Sequence, residues 1–245
     1  TVSAPDGVIL NAPKPMAVAS RHVIGQMLPD VVFGCLRQVI PDRVPAEGTS
    51  CLWNINVRGR VKGGEGGNYG FGMAITSNGG TGARPDKDGL SATAYPSGVR
   101  GTPVEIAETQ TPLIFWRKEF RPDSGGAGRT RGGLGQIMEI ESGVAEPFDL
   151  LAAFDRIDHP PRGRDGGGDG EAGFLALKSG KVLKGKGFQL IPPGDRLVVM
   201  TPGGAGIGAP GERDRRQVAN DLADELISPE SAEKLYAYGP PRAAE

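Results

Sequence analysis

The chain has 245 residues, a formal net charge of −1, two cysteines and two histidines. That length buries a substantial core as one large domain or two small ones, and the near-neutral charge gives no electrostatic reason to expect nucleic acid or an anionic membrane surface as partner. No apolar run approaches the roughly 20 residues of a bilayer span, and no basic-then-apolar signal sequence opens the chain. Two cysteines are too few for a disulfide framework, so a cytoplasmic protein is expected.

Forty glycines and 21 prolines approach the level at which disorder must be considered. The glycines, however, cluster between apolar runs of strand character, which fits a loop-rich folded protein. The sequence starts at Thr1 without a methionine, which reads as processing or as one piece of a longer polypeptide.

From Thr1 to Pro15 the chain is proline-rich and extended, because residues before proline avoid the helical region. Met16 to Ile40 turns helical: Val18, Val23 and Met27, then Val31, Val32, Cys35, Leu36 and Val39, recur at helix spacing. Two short helices meeting near Pro29 are predicted. Strands are predicted at Leu52 to Val57, Phe71 to Thr76, Val104 to Ala107, Leu113 to Phe120, Gln136 to Glu141, Phe148 to Phe154, Phe174 to Leu177 and Arg196 to Met200. Their short connections, rich in Gly, Pro and Asp, predict antiparallel hairpins and meanders. Four Gly-rich loops recur, at 63–72, 125–135, 163–173 and 203–211. The tail is helical, with Asp214 capping a run through Val218, Leu222 and Leu226 and Ser228-Pro229 opening a last helix. The expected class is α+β: a β-rich, largely antiparallel middle (61–213) flanked by an N-terminal extended segment with helices (1–60) and a helical tail (214–245).

Phosphate signatures are weak. GKVLKGKG at 180–187 has a P-loop frame but ends in Gly187 where Ser or Thr should bind magnesium, and it reads as a turn in a basic hairpin. GGAGIG at 203–208 follows a strand, but Pro210 and Gly211 come before any helix can start, so it is not a dinucleotide loop. His22, on a predicted helix, reads as structural or surface. His159, with Asp155 and Asp158 nearby, sketches a ligand cluster or equally a rigid loop fixed by Pro160 and Pro161. Thr1 raises an N-terminal nucleophile, against a simple chain boundary.

The segment EIAETQTPLIFWRKEFRPDSGGAGRTRGGLG, 105–135, is the most informative. Glu105 and Glu108 are a candidate acid–base pair, although on a strand residues three apart point to opposite faces. Asp123 and Ser124 open the loop as turn formers or as site residues. Arg129 and Arg131 either hold an anionic group through their planar donor forks or bond loop carbonyls.

Together with SAPDGVILNAPKP near the start, NGGTGARPDKDGLSA at 78–92, DHPPRGRDGGGDG at 158–170, PPGDRLVVMTPGGAGIGAPGERD at 192–214 and the tail DLADELISPESAEKLY, this segment resembles the C-terminal part of the hydantoinase B/oxoprolinase family. The resemblance implies an ATP-dependent enzyme that opens cyclic amides (hydantoins, 5-oxoproline, other lactams) beside a hydantoinase A-type ATP-binding subunit. Relatives that carboxylate acetone or acetophenone leave an alternative open, as does a purely structural scaffold. The match covers the later half of such subunits. The divalent metal site of relatives lies in the missing N-terminal half, so ATP and the metal are expected on other chains, and this chain is expected to hold no metal and to be inactive alone. The expected site residues are those of the loop, Asp123 and Ser124 shaping it and Arg129 and Arg131 holding an anionic group or an adjoining subunit, with Glu105 and Glu108 as the second choice. Thr130 stands where relatives tend to have an aromatic residue.

Overall fold

Trp53, Ile55 and Val57 alternate with polar residues, so one face of their strand is apolar and must be covered. The computed structural model, which describes residues 3–16, 21–64 and 67–239, shows how. Strands β1 (Leu52–Gly64), β2 (Gly67–Asn78), β5 (Phe148–Ala153) and β7 (Lys186–Ile191) form one sheet in the order β2-β1-β5-β7. Strands β3 (Leu113–Phe120), β4 (Gln136–Ser142), β6 (Phe174–Leu177) and β8 (Arg196–Met200) form a second in the order β3-β4-β8-β6. Every pairing is antiparallel. The inward residues of the first sheet meet Leu113, Met138, Ile140, Leu197 and Val199 of the second in one continuous core. Each fully buried aliphatic side chain there contributes about 1.5–3 kcal/mol. Trp53 stacks on Phe154 at 4.4 Å and its indole N–H donates to the Asp155 carbonyl at 3.2 Å, which satisfies its one polar atom.

The α+β class therefore holds, with several corrections. Residues 104–107 are not a strand: α2 (Val104–Gln110) is a helix entered from Pro103, with Ala107 buried against the core. One helix, α1 (Arg21–Leu36), replaces the two expected, with Pro29 inside it. Proline removes a single donor there, and the residue four back, whose carbonyl the ring crowds, is Gly25. Residues 63–64 and 67–72 are not a Gly-rich loop but belong to the paired strands β1 and β2. Strand β7 was not foreseen, since its apolar residues Phe188 and Leu190 face outward and only Ile191 is fully buried. Its identity comes from pairing with β5. Residues 17–20, 65–66 and 240–245, and Thr1 with its nucleophile reading, lie outside the described residues. The tail matches expectation: in α3 (Arg215–Ala223) Asp214 accepts from the Arg216 N–H, and in α4 (Pro229–Tyr236) Ser228 accepts from the Ser231 N–H.

Beside the sandwich lies a layer with no helix or strand of its own. Segments around 46, 81, 126, 133, 168 and 205 run against one another and cross-link through backbone bonds. The Gly204 N–H donates to Gly133 at 2.9 Å, Gly133 to Thr81 at 2.9 Å, and Gly126 to Gly204 at 2.8 Å. Gly206 donates to Gly168 at 3.0 Å, and Gly168 to Ala127 at 2.7 Å. The backbones approach so closely that a Cβ on Gly204 would overlap the carbonyl of Thr81, and one on Gly132 that of Gly204. Glycine is required here for space, as on the crowded axis of collagen. Buried N–H and C=O groups that have no sheet or helix are satisfied in this way.

Candidate functional site

The loop at 123–135 is the centre of this glycine layer. Asp123 adopts φ +61°, and its carboxylate accepts from the Ser228 N–H at 2.8 Å, tying the loop to the start of α4. Ser124 is fully buried; its hydroxyl donates to the Arg121 carbonyl at 2.6 Å and accepts from the Gly135 N–H at 3.0 Å. Arg131 is buried, and its guanidinium meets the Asp221 carboxylate at 3.3 and 3.4 Å. Arg213 joins the same Asp221 at 2.7 Å and binds Asp88 through two nitrogens, at 2.8 and 2.7 Å. Two arginines thus face two aspartates in a closed clasp between the loop, the 84–92 segment and α3. Arg129 is about half exposed, 3.9 Å from Glu212.

Glu105 and Glu108 lie on α2 rather than on a strand, so their three-residue spacing puts them on one helix face. The Glu108 carboxylate accepts from the Phe115 N–H at 2.8 Å. The structure does not bring this pair to the 123–135 loop's clasp.

A different place has the shape of a site. Under α1, a cavity of about 510 Å³ is lined by Phe33, Leu90, Tyr95 and the backbone of the glycine layer, with the charged Arg43, Arg84 and Asp86 also in its wall. Asp30, from α1, forms part of its wall. The Asp30 carboxylate accepts from the Ser50 hydroxyl at 2.6 Å and lies 3.4 Å from Arg156. Burial pushes its pKa above the ordinary Asp value, against the Ser50 hydrogen bond and the Arg156 charge. Arg156, itself at φ +60°, also reaches Glu47 at 3.4 Å. Ser50 takes φ +47°. Two non-glycine residues in the left-handed region beside one buried carboxylate mark strain of the kind that collects at sites. Burial would raise Glu47 too, but the hydrogen bonds from the Arg162 side chain and backbone prevail and hold it below the ordinary Glu range. Asp88 is likewise held low, with Arg213 outweighing burial.

These directions fix the acid response. Stabilisation from Glu47 and Asp88 is present above their unfolded values, near pH 4, and is lost as pH falls through their lower folded values. Asp30 acts oppositely, since its raised value costs stability as pH rises past the unfolded value. Urea unfolding from pH 7 down to about pH 3 is expected to show stability falling below about pH 4, with a shallower fall in Glu47→Gln. A flat profile, or an unchanged one in the variant, contradicts the assignment.

Sequence reasoning missed Asp30, Glu47 and Arg156. Only Asp30 left a signal, as a lone acid inside the apolar run Leu28 to Val32 of a helix. The near P-loop at 180–187 connects β6 and β7, with Gly180 and Gly187 at positive φ. His22 is hydrogen-bonded to Asn54 at 3.0 Å. Asp155, which shortly precedes His159 in the sequence, is paired with Lys186 at 2.7 Å. Among the described residues no group of three or more His, Cys, Asp or Glu is placed to hold a metal ion, and no helix is long and apolar enough to cross a membrane.

Comparison with known proteins now gives a context. Residues 1–210 match the family described as hydantoinase B/oxoprolinase. The chain is 35% identical over 240 residues to an uncharacterized protein of Methanocaldococcus jannaschii, covering 96% of this chain and 41% of that one. It is 31% identical over 210 residues to the 5-oxoprolinase of Dictyostelium discoideum, covering 83% of this chain and 15% of that one. The ATP-dependent caprolactamase from Pseudomonas jessenii has the same fold, with a TM-score of 0.82 at 23% identity over 100% of this chain and 44% of that chain. The chain thus spans about two fifths of the length of the first of these relatives and a smaller share of the second.

Proposed function

Because the chain belongs to the hydantoinase B/oxoprolinase family, we propose that it is a portion of a subunit of an ATP-dependent enzyme that opens cyclic amides, working with a hydantoinase A-type nucleotide-binding partner. One observation above all supports this: the cavity under α1 is of a size suited to a small ring, and its wall combines the apolar Phe33, Leu90 and Tyr95 with the largely buried carboxyl of Asp30, while Arg43, Arg84 and the exposed Asp86 also line it. A lactam carbonyl is protected by resonance. Phosphorylating its oxygen makes the ring carbon electrophilic: water adds, the C–N bond breaks as the ring nitrogen takes up a proton, and the acyl phosphate left behind gives carboxylate and phosphate with a second water, so that catalysis consists of positioning and charge stabilisation.

In this reading Asp30 handles the proton of the attacking water or of the departing ring nitrogen. Its upward-shifted pKa brings it closer to working pH, as general acid–base chemistry requires. The 123–135 loop has a different part. Asp123 and Ser124 shape it, Arg131 locks it to α3, and half-exposed Arg129, weakly paired with Glu212, is its member that meets an adjoining subunit. This gives the loop the scaffold role, supported by the closing of Arg131 on Asp221. In this reading the divalent ion and ATP are held mainly by other chains of the complex, and no step here runs through them. A second face waits for protein: Leu28, Val31, Val32 and Leu36 of α1, with Val39 beyond it, are exposed together. Such an apolar stripe fits coverage by the further half of the subunit.

The test is ATP turnover by the complete subunit with its nucleotide-binding partner, offered hydantoin, 5-oxoproline or caprolactam. Phosphate release stimulated about tenfold or more by a cyclic amide, without bicarbonate, is expected. Stimulation only by a ketone with bicarbonate would replace the hydrolase by a carboxylase.

A further inference from the structure

On the opposite side of Glu47 from the first cavity lies a second, polar one of about 600 Å³. Its walls carry three arginines, Arg37, Arg162 and Arg164, against two carboxylates, Glu47 and Asp165. The pairing is unequal. Arg37 takes Asp165 at 2.6 Å, and Arg162 takes Glu47 at 2.6 Å. Arg164 is left over: it is 7% exposed, its Nε has no hydrogen-bond partner, and it joins no ion pair among the described residues. Glu47 and Asp30 act on it from a distance, but neither reaches it, and a buried guanidinium whose Nε meets no acceptor calls for a partner supplied from outside.

The backbone around it is fixed. The Arg164 N–H donates to Gly206 at 3.0 Å, and its carbonyl accepts from Gly167 at 2.8 Å and Gly208 at 3.0 Å. The residue's backbone is clamped in the glycine layer, so the base of its side chain is fixed before any ligand arrives, which lowers part of the ordering cost of binding. A planar fork with two further guanidiniums on the same wall matches the oxygens of a carboxylate or phosphate.

We infer that the cavity between α1 and the 162–165 segment is a binding site for the oxyanion group of a small molecule, a carboxylate or a phosphate, held by Arg164 with Arg37 and Arg162 beside it. The inference stands independently of the reaction proposed above, because it rests on the cavity, its three arginines and the unsatisfied Arg164 Nε.

Calorimetric titration of this chain with inorganic phosphate, and separately with glutarate, at an ionic strength matched with potassium chloride, tests it. Saturable binding of at least one of the two is expected, the tighter one identifying the oxyanion class. Arg164→Gln is expected to weaken it by about tenfold or more, and Arg164→Lys to restore part of it. Thermal melting separates this from a structural role: Arg164→Gln without ligand should melt no lower than the parent, since it removes an unpaired buried charge, and should lose the ligand-dependent rise. No saturable binding of either anion, or equal binding by parent and Arg164→Gln, overturns the site. A lowered melting point with an unchanged ligand response assigns Arg164 to the framework instead.

Discussion

Replacing Gly204 with alanine is expected to destabilise the chain by about 4 kcal/mol or more, enough to leave it largely unfolded at 37 °C. The added Cβ would overlap the carbonyl of Thr81, and backbone cannot rotate away as a side chain can. Thr81 is itself tied down, accepting from Gly133 while its own N–H donates to Leu90 at 2.9 Å. Moving it disturbs the 79–83, 133 and 204 segments together. The same substitution at Gly25, exposed in the middle of α1 with nothing near its Cβ position, is expected to do the reverse and stabilise by about 0.5–1 kcal/mol. Urea denaturation followed by circular dichroism reads both. Similar midpoints for the two variants would mean that the glycine layer does not hold the molecule together.

That layer is also where sequence and structure part company. The strands were legible because Leu113 to Phe120 and Arg196 to Met200 carry period-two or continuous apolar runs bounded by turn residues. The caps at Asp214 and Ser228 were legible because a cap is a local event in which one side chain meets an N–H two or three residues on. Glycine clusters at 125–135 and 203–208 carry no periodicity. Their regularity is an array of backbone bonds between segments far apart in sequence, and no window on the chain contains it. Val104 to Ala107 read as a strand because its alternation of Val, Glu, Ile and Ala fits period two as well as one turn of helix. Pro103 at the start and burial of Ala107 decided the matter.

The candidate site divides in the same way. Arg129 and Arg131 stood out because two arginines among six glycines are conspicuous, yet density in sequence does not distinguish a fork that faces a ligand from one closed by Asp221. Asp30, Glu47 and Arg156 are separated by 17 and 109 residues, differences read directly from their numbers. Only the laying of α1 across the 45–50 segment and the 154–157 turn brings them together.

Asp30→Asn carries the second large effect. Asparagine keeps the shape and can still receive the Ser50 hydroxyl hydrogen bond, while Arg156 keeps Glu47 as a partner. The fold is therefore expected to survive, with a melting point close to the parent's. Proton transfer does not survive, because an amide has no titratable proton at working pH. General acid–base groups contribute about 10²–10⁴-fold, so kcat for cyclic-amide opening should drop by at least about a hundredfold. If Asp30 served only to hold Ser50 and Arg156, the loss would appear in stability and in KM instead, and the pH dependence of kcat would not move.

The pH–rate profile of the complete enzyme with its nucleotide-binding partner, parent against Asp30→Asn, therefore bears most directly on the cavity under α1 as the reacting site. The account predicts a parental limb governed by a carboxyl titrating above the ordinary Asp range, and a variant at least about a hundredfold slower in which that limb is gone. Parental turnover with the same pH profile in Asp30→Asn would contradict it.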